Sequence, residues 1–123
     1  MTTILIVEDD PTIGILLQEV IKRNRHYQVI WASRASEALQ AIKDTVPDLL
    51  LLDYFLPDMN GIELYDHLQK AIPKKHMPTI MLTASLGSIT QQLQERQIIG
   101  MSKPFHIVEL TSLIEKMAPM DVR

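Results

Sequence analysis

The sequence predicts a doubly wound open α/β sheet, one domain in which five parallel strands alternate with five helices. Three observations predict it. Short apolar or β-branched runs recur five times, at Thr3–Val7, Tyr27–Trp31, Asp48–Asp53, Pro78–Thr83 and Ile98–Ser102. Each is followed by a stretch with apolar residues at helical spacing. The third run, DLLLLD, is apolar between its two acids, as expected of a strand covered by helices on both faces. Parallel strands joined by helices use right-handed crossovers. In such five-stranded sheets the order 2-1-3-4-5 is common, with ligands bound at the carboxyl ends of the strands.

Each element has a local reason. Thr3–Val7 runs directly into Glu8, Asp9 and Asp10, so its C-terminal end is acidic. Asp10 suits a helix N-cap and Pro11 a first turn, and Ile13, Leu16, Leu17, Val20 and Ile21 supply an apolar stripe. Asn24–His26 interrupt that pattern before the second strand. Ser33 or Ser36 is expected to cap a second helix carrying Ala38, Leu39 and Ile42, which Pro47 closes. Pro57, Asp58, Asn60 and Gly61 mark a loop. Ile62–Ile72 reads as the third helix, closed by Pro73, and Ile89–Gln97 as a weaker, Gln-rich fourth. Lys103 and Pro104 form a turn, and Phe105–Met117 is the last helix. Residues 1–118 are expected to form the domain and 119–123 a tail.

The 123 residues suit a single domain. A chain of this size buries roughly two-thirds of its unfolded surface and needs no covalent staples. The net charge of −3 argues against direct nucleic-acid binding, which leaves a basic footprint. The absence of cysteine excludes disulfides and thiolate metal sites. MTTILIVEDD lacks the basic start of a signal peptide. No apolar run approaches the ~20 residues of a membrane helix. A cytoplasmic protein without membrane contact is expected.

The strand order brings four strand ends to one edge of the sheet. The residues just past them are Glu8, Asp9 and Asp10, then Asp53, Thr83 and Lys103. Clustered acids repel unless a cation sits among them. An all-oxygen set suits Mg²⁺, which takes one or two carboxylates plus phosphate oxygens and keeps water. Such a metal neutralises charge on a transferring phosphoryl group. Asp53 is then the candidate nucleophile, since carboxylates form aspartyl phosphates. Lys103 would place a point charge on a phosphate oxygen, and Thr83 would donate a hydrogen bond to another. Taken singly, these residues read as caps, turn residues and strand formers; their joint placement on one edge carries the reading.

The stretches ILIVEDDP, DLLLLDYFLPDMNGIEL, PTIMLTAS and SKPF, in this order, resemble the receiver domains of two-component response regulators. The resemblance covers essentially the whole chain. It implies a flavodoxin-like (βα)5 fold and a switch that takes a phosphoryl group from a histidine kinase or histidine phosphotransfer protein. By motif position it implies Asp53 as phosphoacceptor and Asp9 and Asp10 as the acidic pair for Mg²⁺, with Glu8 adjacent. It also implies the backbone carbonyl of Phe55 as a further metal ligand. Thr83 matches the switch hydroxyl, Lys103 the phosphate-binding lysine, and Pro104 a position usually preceded by a cis peptide bond. Phe55 falls two residues after the acceptor, where the family controls access of attacking water.

Two departures stand out. The segment between Thr83 and Lys103 is shorter than usual, without the Gly-Ala step before the fifth strand. The aromatic residue expected three positions before the lysine is replaced by Gly100. His26, His67, His76 and His106 read as surface residues, and Met59, Met77, Met81, Met101 and Met117 as packing residues.

Three functions compete. The leading one is the phosphorylation-controlled switch, acting through the face formed by the fourth helix, fifth strand and last helix. A phosphohydrolase with an aspartyl-phosphate intermediate commonly needs an Asp two residues after the nucleophile, where this chain has Phe55. A degenerate binding module would not need Asp9, Asp10, Asp53, Thr83 and Lys103 together. No phosphate-binding glycine loop is present to support a nucleotide enzyme.

Overall fold

The structure is a computed structural model and describes residues 1–118. Five strands and five helices alternate: β1 (Thr2–Val7), α1 (Pro11–Lys22), β2 (Tyr27–Ala32), α2 (Ala35–Ala41), β3 (Leu49–Asp53), α3 (Gly61–Ala71), β4 (Thr79–Thr83), α4 (Leu86–Glu95), β5 (Ile99–Ser102) and α5 (Ile107–Met117). The sheet is parallel with the order β2-β1-β3-β4-β5. The expected fold class and strand order are therefore those observed, and the α/β doubly wound sheet is flavodoxin-like.

Two apolar cores lie on opposite faces of the sheet. Leu5, Val7, Leu50, Leu52 and Met81 face α2, α3 and α4. Ile4, Ile6, Leu49, Leu51, Ile80 and Leu82 face α1 and α5. Alternate residues of one strand thus feed different cores, which explains the unbroken apolar runs Ile4–Val7, Leu49–Leu52 and Ile80–Leu82 in the central strands.

Several boundaries differ from the sequence expectation. Neither Ser33 nor Ser36 caps α2. Its N-cap is Arg34, without a side-chain hydrogen bond. The N–H groups of Ala35 and Ser36 instead donate to the two carboxylate oxygens of Asp58, both at 2.9 Å, from the loop after β3. The α3 start is a capping box. Asn60 accepts from Glu63 N, and Glu63 Oε1 accepts from Asn60 N. The α4 helix begins at Leu86, three residues before the first residue of the expected helix, because Leu86-Gly87-Ser88 carries little periodic signal. The last helix starts at Ile107 rather than Phe105. The expected tail, residues 119–123, lies outside the described residues.

All four histidines are exposed. Met77 and Met81 are fully buried, and Met59, Met101 and Met117 pack against the cores. No helix among the described residues is long and apolar enough to cross a membrane.

Candidate functional site

The site lies where β1, β3, β4 and β5 end. The chain does not leave the sheet at Val7. Glu8 N still donates to Ala32 O at 3.0 Å, so the backbone stays tied to β2 for one more residue. Glu8 is consequently buried, only 1 % exposed, while Asp9 and Asp10 are exposed. Its carboxylate is compensated from two sides. Oε1 lies 3.1 Å from Lys103 Nζ, and Oε2 accepts from Asp10 N at 3.2 Å.

This shifts the acidic group by one residue from the sequence expectation. Glu8, Asp9 and Asp53 each offer a carboxylate oxygen within 4.8 Å of the others. Asp10, expected to form the acidic pair with Asp9, is the N-cap of α1. Its Oδ1 accepts from Thr12 N at 2.9 Å and from Ile13 N at 3.4 Å. A carboxylate at a helix N-terminus satisfies orphan donors and meets the positive end of the helix dipole. Those N–H groups hold Asp10 turned toward its own helix. The signal for Glu8 was the strand itself: the first acid of EDD still belongs to the extended segment.

Asp53 ends β3 and is 4 % exposed. Gly61 leaves no room behind it, since a Cβ there would lie 2.6 Å from the Asp53 carbonyl oxygen and from Met81 Sδ. The Gly61 N–H donates to Tyr54 O at 2.7 Å, tying the loop back under the site. Lys103, just past β5, reaches Asp53 Oδ1 at 3.1 Å, the same distance as to Glu8. The Lys103–Pro104 peptide bond is cis.

The electrostatics follow from this crowding. Burial first, and the negative charge of Glu8 second, push the Asp53 carboxyl up to about 7 against the pull of Lys103. Burial works against the Lys103 charge, but Asp53 and Glu8 outweigh it and raise its ammonium above the ordinary value. Lys103 pairs with Glu8 and Asp53 while Asp9 adds a third carboxylate to the group, so the cluster favours a further proton or a cation. The donor set, oxygen only and compact, fits a hard divalent ion such as Mg²⁺.

Thr83 ends β4 and is fully buried. Its Oγ1 accepts from Ser85 N at 3.0 Å, which leaves the hydroxyl hydrogen free to be donated. Phe55 stands on the rim, 58 % exposed, edge-on to Tyr54 with ring centroids 4.8 Å apart. Its backbone forms a bridge with Asn60. One contact was not foreseen. Trp31, on the edge strand β2, donates its indole N–H to the Glu8 carbonyl at 2.9 Å.

Beside Lys103 the surface turns apolar. A cavity of about 510 Å³ is lined by Ile13, Leu16, Ala84, Lys103, Pro104 and Phe105. Leu16 is 42 % exposed there.

Residues 4–115 match the model of the response regulator receiver domain. Sporulation initiation phosphotransferase F of Bacillus subtilis is 33% identical over 119 residues, covering 95% of this chain and 94% of that protein. The uncharacterized transcriptional regulatory protein YrkP of Bacillus subtilis is 39% identical over 111 residues, covering 87% of this chain. The chain spans only 45% of the length of that regulator. The non-phosphorylated HemR receiver domain from Leptospira biflexa superposes with a TM-score of 0.88 at 32% identity, covering 100% of this chain and 98% of that one.

Proposed function

The chain belongs to the receiver-domain family of response regulators, the phosphoacceptor switches of two-component signalling, and from that premise we propose that Asp53 is its phosphoacceptor. The observation that carries this reading is the position of Lys103 Nζ, 3.1 Å from both Asp53 and Glu8 at the end of the sheet. Among the described residues Glu8 and Asp53 are the buried carboxylates beside that ammonium, and Asp53 is the one that lies within a strand, at the end of β3.

In this reading a carboxylate oxygen of Asp53 attacks the phosphorus of a phosphohistidine. The P–N bond breaks, and the imidazole nitrogen keeps the electron pair and takes up a proton. Lys103 sits where it can follow the transferred oxygens, and the Thr83 hydroxyl has a hydrogen to donate to one of them. Glu8, Asp9 and Asp53 would hold Mg²⁺, with the backbone carbonyl of Phe55 as a further ligand. When bound, the ion offsets the negative charge that the phosphoryl group brings to an already acidic site.

The donor would be a histidine kinase or a histidine phosphotransfer protein in the cytoplasm. The apolar surface around Leu16, Pro104 and Phe105, continuous with Lys103, supports docking of a helix-bearing partner. Neither a membrane nor a nucleic acid is a direct partner in this reading. Turnover is limited to the chain's own phosphorylation and dephosphorylation.

The test is intact mass after incubation with acetyl phosphate and Mg²⁺. Wild type should gain one phosphoryl group and Asp53→Asn none. Equal labelling of the variant would overturn the assignment.

A further inference from the structure

We infer that Trp31 is a positioning residue for the Glu8–Asp9–Asp53 centre, acting through the peptide group that joins Glu8 to Asp9. The inference rests on the reading of those three acids as the ligand set.

Trp31 lies on β2, the edge strand, with Ile6 as its partner across the pair. Its side chain touches the first residue of the acidic loop and the first turn of α1 beyond it. The indole N–H donates to Glu8 O at 2.9 Å. The six-membered ring and the indole nitrogen lie against Gly14, where any Cβ would overlap them. Gly14 in turn donates its N–H to Asp10 O at 2.9 Å, in the first turn of α1. One rigid bicyclic group is therefore wedged between the end of β1 and the start of α1, and Glu8, Asp9 and Asp10 span the gap between them.

The consequence for a metal is geometric. The orientation of the Glu8 carbonyl fixes the plane of the Glu8–Asp9 peptide, and that plane sets the direction in which the Asp9 side chain leaves. Mg²⁺ demands near-ideal octahedral geometry, so a small rotation of this peptide matters more than it would for a softer ion. Phenylalanine at this position would keep most of the packing and lose the donor. The Glu8 carbonyl would then turn toward water.

Plain core packing predicts a different outcome, and titration with MgCl2 alone separates the two. The titration is followed by the Asp9 and Asp53 amide resonances and by the Trp31 indole Nε1–H. In wild type the indole resonance is expected to move with the same dissociation constant as the amides. Trp31→Phe should bind Mg²⁺ about tenfold more weakly, the lower end of what loss of a partner behind a metal ligand costs. Val29→Ala, a cavity on the same strand, should lower stability and leave the affinity unchanged. Gly14→Ala, which forces the ring aside while keeping it, should weaken binding as well, and it serves if Trp31→Phe does not fold. Wild-type affinity in the folded variant, equal weakening in Val29→Ala, or an indole resonance indifferent to Mg²⁺ would overturn the inference. If the wild-type Asp9 and Asp53 amides do not respond to Mg²⁺, the ligand set itself is wrong and this role falls with it.

Discussion

Leu86 lies over Gly100: a Cβ on Gly100 would overlap Leu86 Cδ1, and Leu93 Cδ1 would sit 2.9 Å from it. The place of the missing aromatic on β5 is thus narrowed from α4, and an open pocket of about 230 Å³ lined by Leu86, Leu93 and Gly100 remains there. Neither neighbour on the strand takes it. Ile99 is 41 % exposed, and Met101 packs into the core on the opposite face. Leu86 follows Ser85, whose N–H donates to Thr83 Oγ1 at 3.0 Å. The far end of α4 is anchored by Arg96, whose Nε and Nη2 donate to the two oxygens of Asp66 at 2.8 and 3.0 Å. Such a forked pair resists displacement better than a single contact.

From this arrangement the response to a phosphoryl mimic should centre on the first turn of α4. Beryllofluoride with Mg²⁺ is expected to shift amides near Asp53, Thr83 to Ser88 and Lys103. Shifts along Gly100 to Ser102 and at the start of α5 should be comparatively small. A response centred there means that Leu86→Ala should change the beryllofluoride affinity while Val108→Ala should not. A large cooperative rearrangement of the fifth strand would contradict this picture.

Asp9 and Asp10 should separate cleanly on mutation. Asp10→Ala removes an N-cap and is expected to cost about 1 kcal/mol of stability, with Mg²⁺ affinity changed little. Asp9→Ala and Glu8→Gln should abolish most of the affinity. Paired denaturation and metal titrations check this, and a metal loss in Asp10→Ala as deep as that in Asp9→Ala would refute it.

The metal-free domain should be less stable in base than in mild acid. Folding raises the Asp53 carboxyl from its ordinary value near 3.8 to about 7. An acid whose folded value is raised contributes stability that is fully present below the unfolded value. That contribution is lost as pH rises toward the folded value, because the unfolded chain ionises first. Asp53→Asn removes the liability and leaves Lys103 paired with Glu8. In EDTA the variant should exceed wild type by more than about 1 kcal/mol at pH 8, with the margin shrinking toward pH 5. Urea denaturation at both values measures it, and a variant weaker than wild type at pH 8 would count against the buried-charge account.

Phe55 should prolong the life of the phosphoryl group. Its ring stands on the rim with no acid or base to offer an attacking water. Phe55→Asn is expected to hydrolyse roughly fivefold faster, well short of the ~10²-fold that a dedicated general base supplies. Loss of phosphoprotein with time after removal of the donor gives the rate, and an equal or slower rate would remove the argument.

Much of this protein was legible along the chain. The alternation of apolar runs and helical stripes determined the parallel sheet, because side-chain periodicity reports which faces are buried; its order was expected as the common one for five such strands. Strand ends on one edge brought Asp53, Thr83 and Lys103 into one neighbourhood before any coordinates. What tertiary structure decided was direction and partner. Asp10 took the N-cap role that its place before Pro11 predicts, while Glu8 turned inward because the β1–β2 ladder continues to it and Lys103 Nζ meets its carboxylate. Asp58 caps α2 across more than twenty residues, and neither nearby serine caps it. Leu86 covers Gly100 from another element. The Glu8, Asp58 and Leu86 contacts join segments distant in sequence, and local propensity carries no record of which side chain fills a space that the fold creates.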